Sequence, residues 1–568
     1  MQIRKQHLRL FIPILLGLFF SLGDYVATHD GVLDLCSKMI WFQALEFSMY
    51  FVILFVVFEL LIGHINNEQG GIKIALGSCF HRREPSIAKS RCRLSHLIIY
   101  FIFIATAWSF WLYLLRSGIF WSDTSQQILQ YYGVETLSDH HPVLVTFIYG
   151  LFCEFGTAVF GSATKGLVIL GAIQLYSAAL LISLICSDFY HFGANSILCF
   201  IVVVFFAIFP VFPVMICSIA KDSLSIVFFL GYIWLFFRFL LSKNLSVLEI
   251  FGIVLFSIIA SLTKKTMGYI IFGVDVLLCL YTFNLSKKCC VKILLSSVFF
   301  SLTVFVLVPQ LYAAANVLPG GKQEMIAPII QQVAHDVKYS KDEMTNEDLN
   351  VIDKFLLTNV CDIPSKYNWG CVDSIKDIIR YPLTPIRGVN DESYFNKFIK
   401  LWAVNSMKDP KGHLEAWIGL IDGWITFRTD QDGSGNYLVL PMYSGWYYEP
   451  VDKVIDWTPT CSAGASVAQQ IYLSIQSLPI INALFFRSTW ASIIPLFLLF
   501  YVLGDKYSGS KKGALLILSP VLITCLTLLI VPISIVGGEP TRYVFSNICL
   551  IPILVLALSL DSLFYNHG

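Results

Sequence analysis

Residues 121–142 read WSDTSQQILQYYGVETLSDHHP. The stretch separates two strongly apolar regions, yet it holds Asp123, Gln126, Gln127, Glu135, Asp139, His140 and His141 and no Lys or Arg. A passive connector between apolar segments requires none of these groups. Carboxylates and imidazoles gathered beside a membrane suit proton transfer or metal-assisted chemistry. The plainer alternative is a polar loop in which Asp123 caps a helix.

The flanks decide the fold. Of the 568 residues, 56% are hydrophobic and only 14% charged, against about 25% charged in soluble domains. Apolar runs of roughly twenty residues, each long enough to cross a bilayer as a helix, recur along most of the chain. They are read at about 8–23, 41–63, 96–115, 164–187, 195–217, 223–241, 246–263, 267–283, 292–313, 487–503, 514–535 and 541–560. This pattern predicts an all-α polytopic membrane protein with about 12 transmembrane helices, outer juxtamembrane helices and a mainly helical extracytoplasmic domain. The first run follows a basic start and lacks a small-residue cleavage site, so it reads as a retained span.

The segment Val143–Phe155 is apolar but short and begins after Pro142, which favours an interfacial helix over a span. Charge supports that parity. With the N-terminus in the cytoplasm and this segment on the outer surface, the cytoplasmic loops hold Arg4, Lys5, Arg82, Arg83, Lys89, Arg91, Arg93, Lys243, Lys287, Lys288, Lys506, Lys511 and Lys512. No cation lies between Ser117 and Thr164. The asymmetry is that of the positive-inside rule, and it predicts a multi-pass protein with both termini cytoplasmic and its site facing outside.

Four regions follow: a two-helix extension with a basic loop (1–95), a membrane core (96–313) whose first outer loop is 117–163, an extracytoplasmic domain (314–486) and C-terminal membrane helices (487–568). In the soluble region Glu324–Tyr339 and Ser393–Met407 have apolar residues at helical spacing, followed by aromatic, Gly- and Pro-rich loops such as GSGNYLVLPMYSGWYYEP. Fifteen Cys are scattered, without zinc-type spacing. Cys361, Cys371 and Cys461 fall in the soluble region, and Cys361 and Cys371 could close a short loop if it is oxidising. A net charge of +1 and the absence of a Gly-rich phosphate loop before a helix give no case for nucleic-acid or nucleotide binding.

On the outer side, Lys221-Asp222, Lys264-Lys265 and Arg542 break the charge rule. Cations and acids on one rim suit a phosphate-bearing substrate. The alternatives are snorkelling to lipid headgroups and, for Lys221 and Asp222, a local ion pair of little consequence.

These residues carry a resemblance. In order and sidedness the chain resembles the GT-C superfamily of polytopic glycosyltransferases, within it a bacterial branch, over roughly residues 96–560. Asp123 matches the acidic residue of the family's first outer loop, and His140-His141-Pro142-Val143-Leu144 its juxtamembrane helix. Lys221-Asp222, Leu262-Thr263-Lys264-Lys265 and Arg542-Tyr543 match its later outer motifs. Ile330-Gln331-Gln332-Val333-Ala334 matches a glutamine-bearing outer helix. Asp123 is followed by Thr124 and Ser125 where many members carry a second acid, which leaves a divalent metal cofactor an open question.

The resemblance implies transfer of a sugar, with inversion, from a polyprenyl-phosphate donor to a cell-envelope glycan or lipid acceptor. Asp123 would be the general base. Lys221, Asp222, Lys264, Lys265 and Arg542 would form the donor-phosphate site. Asp139, His140, His141, Gln331 and Gln332 would contact substrate, although adjacent His point to different faces, Asp139 also suits a helix cap, and Gln331 and Gln332 also suit a solvated face. The competing readings are a lipid-linked polysaccharide polymerase or ligase and a lipid-linked sugar flippase.

Overall fold

The computed structural model describes residues 2–66, 90–242, 246–283, 286–320, 325–356, 359–376, 392–428, 436–438, 440, 451–457, 462–504, 507, 509–530 and 540–560. Among them the chain is helical, with isolated bridges such as Phe120 to Ile219 in place of a sheet. Ten helices are long and apolar enough to cross a membrane, or eleven if Ser196–Ile208 and Val211–Cys217, bent by 56° at Pro210, form one span. Val247–Thr263 and Thr489–Leu503 are apolar but shorter, so length and composition do not reach the expected count of about twelve. The protein is an all-α, multi-pass membrane protein.

Its surface explains why. On Lys38–Asn66 the large residues Phe42, Leu45, Met49 and Ile53 are exposed on one side, while Ala44, Phe51 and Phe55 are buried on the other. A soluble helix would place polar residues on the first face. An apolar face of this size needs lipid around it.

Ser187 Oγ donates to the Arg93 carbonyl at 2.9 Å and Ser109 Oγ lies 2.8 Å from Tyr176 Oη, which sets Ser90–Leu114 antiparallel to Ala163–His191. One end of the bundle is tied by Asp188, which pairs with Arg93 at 2.6 Å and Arg238 at 3.4 Å, while Arg238 also meets Glu249 at 2.8 Å. At the opposite end the Ile219 amide donates to the Ile119 carbonyl at 2.8 Å.

The helix after Pro142 is longer than expected. It runs Val143–Phe160, 18 residues, and ends at Gly161 with φ 64°. It therefore continues five residues past Phe155, through Gly156 and Thr157. Gly156 sits at a close crossing, where a Cβ would meet the Gly166 amide at 2.4 Å. Both ends of this helix remain at one end of the bundle: its start carries His141 against Lys221, and Thr164 beyond its far end donates to Asp456 Oδ1 at 3.1 Å. Trp457, next to Asp456, packs on Phe120 with ring centroids 4.5 Å apart.

The region 314–486 divides. Residues 326–420 contribute a core of their own, built by Ile330, Val333, Ile352, Phe355, Phe398 and Leu420. The expected helices there run Ala327–Tyr339 and Glu392–Lys408. Leu438, Ala465 and Tyr472 belong instead to the main core. The N-terminal pair is built in as well: Phe20 lies 4.9 Å from Phe427, and the Leu33 amide donates to Glu415 at 2.7 Å. Cys361 and Cys371 are free thiols; Cys461 and most of GSGNYLVLPMYSGWYYEP lie outside the described residues.

Candidate functional site

Residues from four separated segments meet at the end of the bundle marked by Ile119 and Ile219. The short helix Ser122–Tyr131 follows Trp121, which serves as N-cap without a side-chain cap bond. Asp123 therefore does not cap; it stands in the first turn with its carboxylate free for other partners. Thr124 Oγ1 fixes the helix by donating to the Ile219 carbonyl at 2.5 Å. That bond brings Lys221, the first residue of Lys221–Ser242, beside Asp123.

Lys221 Nζ lies 2.8 Å and Arg542 Nη1 2.7 Å from the same oxygen, Asp123 Oδ2. His141 Nδ1 is 4.0 Å from that oxygen and takes a hydrogen bond from Lys221 at 3.0 Å. Its Nε2 lies 2.8 Å from Gln126 Oε1, an acceptor. A ring that accepts at Nδ1 and donates at Nε2 is neutral. Burial, the Lys221 ammonium, His140 and Arg542 all oppose a charge on His141; only Asp123 favours one, and the pKa is held well below 6.5. For Asp123, burial opposes ionisation, but the Arg542 and Lys221 cations outweigh it and hold the carboxyl well below its ordinary value.

A second pair lies behind the first. Lys264 Nζ meets Asp222 Oδ1 at 2.6 Å and donates to the Arg542 carbonyl at 3.4 Å; both side chains are buried. Tyr543 lies under both cations, 5.5 Å from Lys264 Nζ and 5.0 Å from the Arg542 guanidinium carbon, and Trp121 adds a second ring 5.7 Å from Arg542. At the rim, Lys265 pairs with Asp139 Oδ2 at 2.9 Å and also donates to the Asp139 carbonyl. Asp139 does not cap the following helix, whose N-cap is Pro142.

Asp123, Asp139, His141, Lys221, Asp222, Lys264, Lys265 and Arg542 are thus one constellation. His140 is less buried and packs edge-on against His141, with ring centroids 4.5 Å apart. Gln331 and Gln332 are not brought to the constellation by any of their hydrogen bonds. Gln331 is fully buried and donates to the Asn368 and Trp369 carbonyls, while Gln332 donates to the His413 carbonyl and accepts from Trp402. Their amides hold the polar domain together and form no solvated face. The sequence offers Gln126 only as part of the polar stretch and Tyr543 only beside Arg542, and it gives neither of them nor Trp121 a role; aromatic and amide residues beside a membrane are too common to assign one.

Four cations face three carboxylates and a neutral imidazole, which leaves the constellation one unit positive. Such a place takes an anion in preference to a metal ion: its carboxylates are already committed to ammonium and guanidinium groups. A phosphate could replace Asp123 on Lys221 and Arg542 with the same charge-assisted geometry.

A family model described as "Family of unknown function (DUF6020)" matches residues 131–560, well over half of the chain. The chain belongs to that family. The DUF6020 match takes in His141, Lys221, Asp222, Lys264, Lys265 and Arg542 and begins after Asp123. No curated protein and no solved structure matches the chain.

Proposed function

We infer that the protein is a membrane glycosyltransferase that moves a sugar from a polyprenyl-phosphate donor to a cell-envelope glycan or lipid. The observation that carries this reading is the convergence of Asp123 with Lys221 and Arg542, from three distant segments, at one end of a lipid-embedded bundle. A lipid-linked donor must present its phosphate at that level, because its chain stays in the bilayer and its sugar in water.

In this account Lys221 and Arg542 exchange Asp123 for the donor phosphate, with Lys264 behind them. Asp123 is a weak base while both cations hold it. Once phosphate neutralises them, its proton affinity rises towards the ordinary carboxylate range, where general-base catalysis operates. It then takes the proton of the acceptor hydroxyl. The acceptor oxygen attacks the anomeric carbon, the carbon–oxygen bond to phosphate breaks, and the electron pair leaves with polyprenyl phosphate. The cations stabilise the charge gathering on that leaving group.

The site faces outside and both termini face the cytoplasm in this reading. The support is charge: Arg93 and Arg238 sit at the opposite end of the bundle, the end read as cytoplasmic. The groups assigned to transfer gather at one end of the bundle, whereas a transporter places its binding groups near the midplane.

Purified protein in nanodiscs, given a panel of polyprenyl-phosphate sugars with glycan and lipid acceptors, should release polyprenyl phosphate from at least one donor. Folded protein that releases none with any pairing would turn the reading towards a polymerase, a ligase or a flippase.

A further inference from the structure

A second polar cluster lies in the domain core, away from the transfer constellation and independent of its function. It joins the C-terminal turns of Ala327–Tyr339 to the start of Pro410–Ile421. His335, Asp336, His413 and Glu415 are buried there, each at most 6% exposed. His335 Nε2 lies 3.1 Å from Glu415 Oε2, which leaves the ring's other nitrogen, Nδ1, buried and without a hydrogen bond. Asp336 Oδ2 accepts from His413 Nε2 at 3.1 Å and Asn405 Nδ2 at 3.0 Å, while its Oδ1 is likewise buried and unbonded. Asp409 caps the second helix through Oδ1, which accepts from the Gly412 amide at 2.9 Å.

The leftover atoms converge. One ligand atom each from His335, Asp336 and Asp409 lies within 4.8 Å of the others. A glycine keeps the space between them open: a Cβ at Gly412 would fall 2.3 Å from Asp409 Oδ2 and 2.9 Å from His335 Nδ1. A divalent ion at about 2.0–2.2 Å from each donor holds them no more than about 4.4 Å apart, so a small closure suffices. The surroundings match what ligands need. Glu415 accepts the hydrogen bond of His335 Nε2–H and so leaves the Nδ1 lone pair turned inward, the carboxylate–histidine arrangement that raises the basicity of a ligating ring. His413 and Asn405 fix the Asp336 carboxylate in the same way. Three carboxylates gather here, and among the described residues the cation paired with them is the half-exposed Lys411, 3.4 Å from Glu415.

We propose that His335, Asp336 and Asp409 bind a divalent cation that clamps the two helices of the polar domain. Imidazole nitrogen with carboxylate oxygen and no thiolate selects an ion of the Zn2+ or Mn2+ type. Through Glu415, whose other oxygen accepts from the Leu33 amide at 2.7 Å, the ion also steadies the contact with the N-terminal helix pair.

The test is metal content and thermal unfolding of the full-length protein in detergent, with Zn2+ or Mn2+ as the probe. The wild type should hold one ion per chain, lose melting temperature in EDTA and regain it with added ion. Asp409→Asn keeps a competent helix cap and should match the wild type in EDTA while losing the response to metal. Glu415→Gln should retain the site with affinity lowered about 10- to 100-fold. A wild type whose melting temperature ignores EDTA, Zn2+ and Mn2+ would overturn the proposal and assign the space to water. Wild-type metal affinity in both variants would overturn it equally.

Discussion

The bundle end and the polar domain each bury a carboxylate–histidine cluster, and they do opposite things with it. At the bundle end Asp123 and Asp222 carry Lys221, Arg542 and Lys264, and the nearby imidazole of His141 is kept neutral. In the polar domain Asp336 is held by a histidine and an amide, and acceptor atoms remain without partners. The first arrangement has an excess of cations and is ready for an anion; the second has an excess of acceptors and is ready for a cation. The same residue types yield contrary sites because the third partner differs: Lys and Arg in one, imidazole and amide in the other.

Substitutions can break that contrast, beginning with catalysis. Asp123→Asn should lower transfer by about 10²- to 10⁴-fold, the range for losing a general base, with normal amounts of folded protein. Near wild-type turnover in that variant would remove the assigned role. Next, Lys264→Met leaves Asp222 buried beside a lost partner and should cost about 3–5 kcal/mol of stability. Lys265→Met, whose ion pair with Asp139 is half exposed, should cost under about 1 kcal/mol. Equal losses in thermal unfolding would show that the two lysines are not layered as described.

A pH titration sharpens the contrast further. His141 is neutral in the fold with a pKa depressed below 6.5, so the unfolded chain binds the extra proton. Its contribution is therefore present above about pH 6.5 and declines as pH falls, by at most about 1.4 kcal/mol per unit. His141→Gln should flatten the fall in melting temperature between about pH 7 and 5. An unchanged slope would mean that the ring is charged in the folded protein.

The smallest effect concerns sidedness. Cys361 is exposed and free in the polar domain, and an impermeant thiol reagent should label it from outside intact cells. Labelling that requires access to the cytoplasm would invert the orientation.

How much of this was legible in the sequence follows from the cost of charge. Lys221, Lys264 and Arg542 stood out because ions beside apolar helices need a reason, and the bundle that brings them together could be read from hydropathy. The outcome also removes the plain readings of Asp123 and Asp139 as helix caps, since Trp121 and Pro142 hold those positions. His335, Asp336, Asp409 and Glu415 gave no such signal. In a water-facing domain charged residues are ordinary, and only the fold shows that His335, Asp336 and Glu415 are buried, with Asp409 beside them, and that His335 and Glu415 are joined across a span of some eighty residues. The glutamines misled for a related reason: adjacent amides on a helix look like a ligand face, but backbone carbonyls of Asn368, Trp369 and His413 claim them.

The central claim is that Lys221 and Arg542 exchange Asp123 for a lipid phosphate. Its most direct test is the affinity of polyprenyl phosphate, free of sugar, for the wild type, Lys221→Gln and Asp123→Asn in nanodiscs. Loss of one charge-assisted hydrogen bond, about 1.5–3 kcal/mol, predicts roughly 10- to 100-fold weaker binding for Lys221→Gln. Asp123→Asn, which lacks the competing carboxylate, should bind at least as tightly as the wild type. Equal affinities in the wild type and Lys221→Gln, or a loss of binding in Asp123→Asn, would contradict the account.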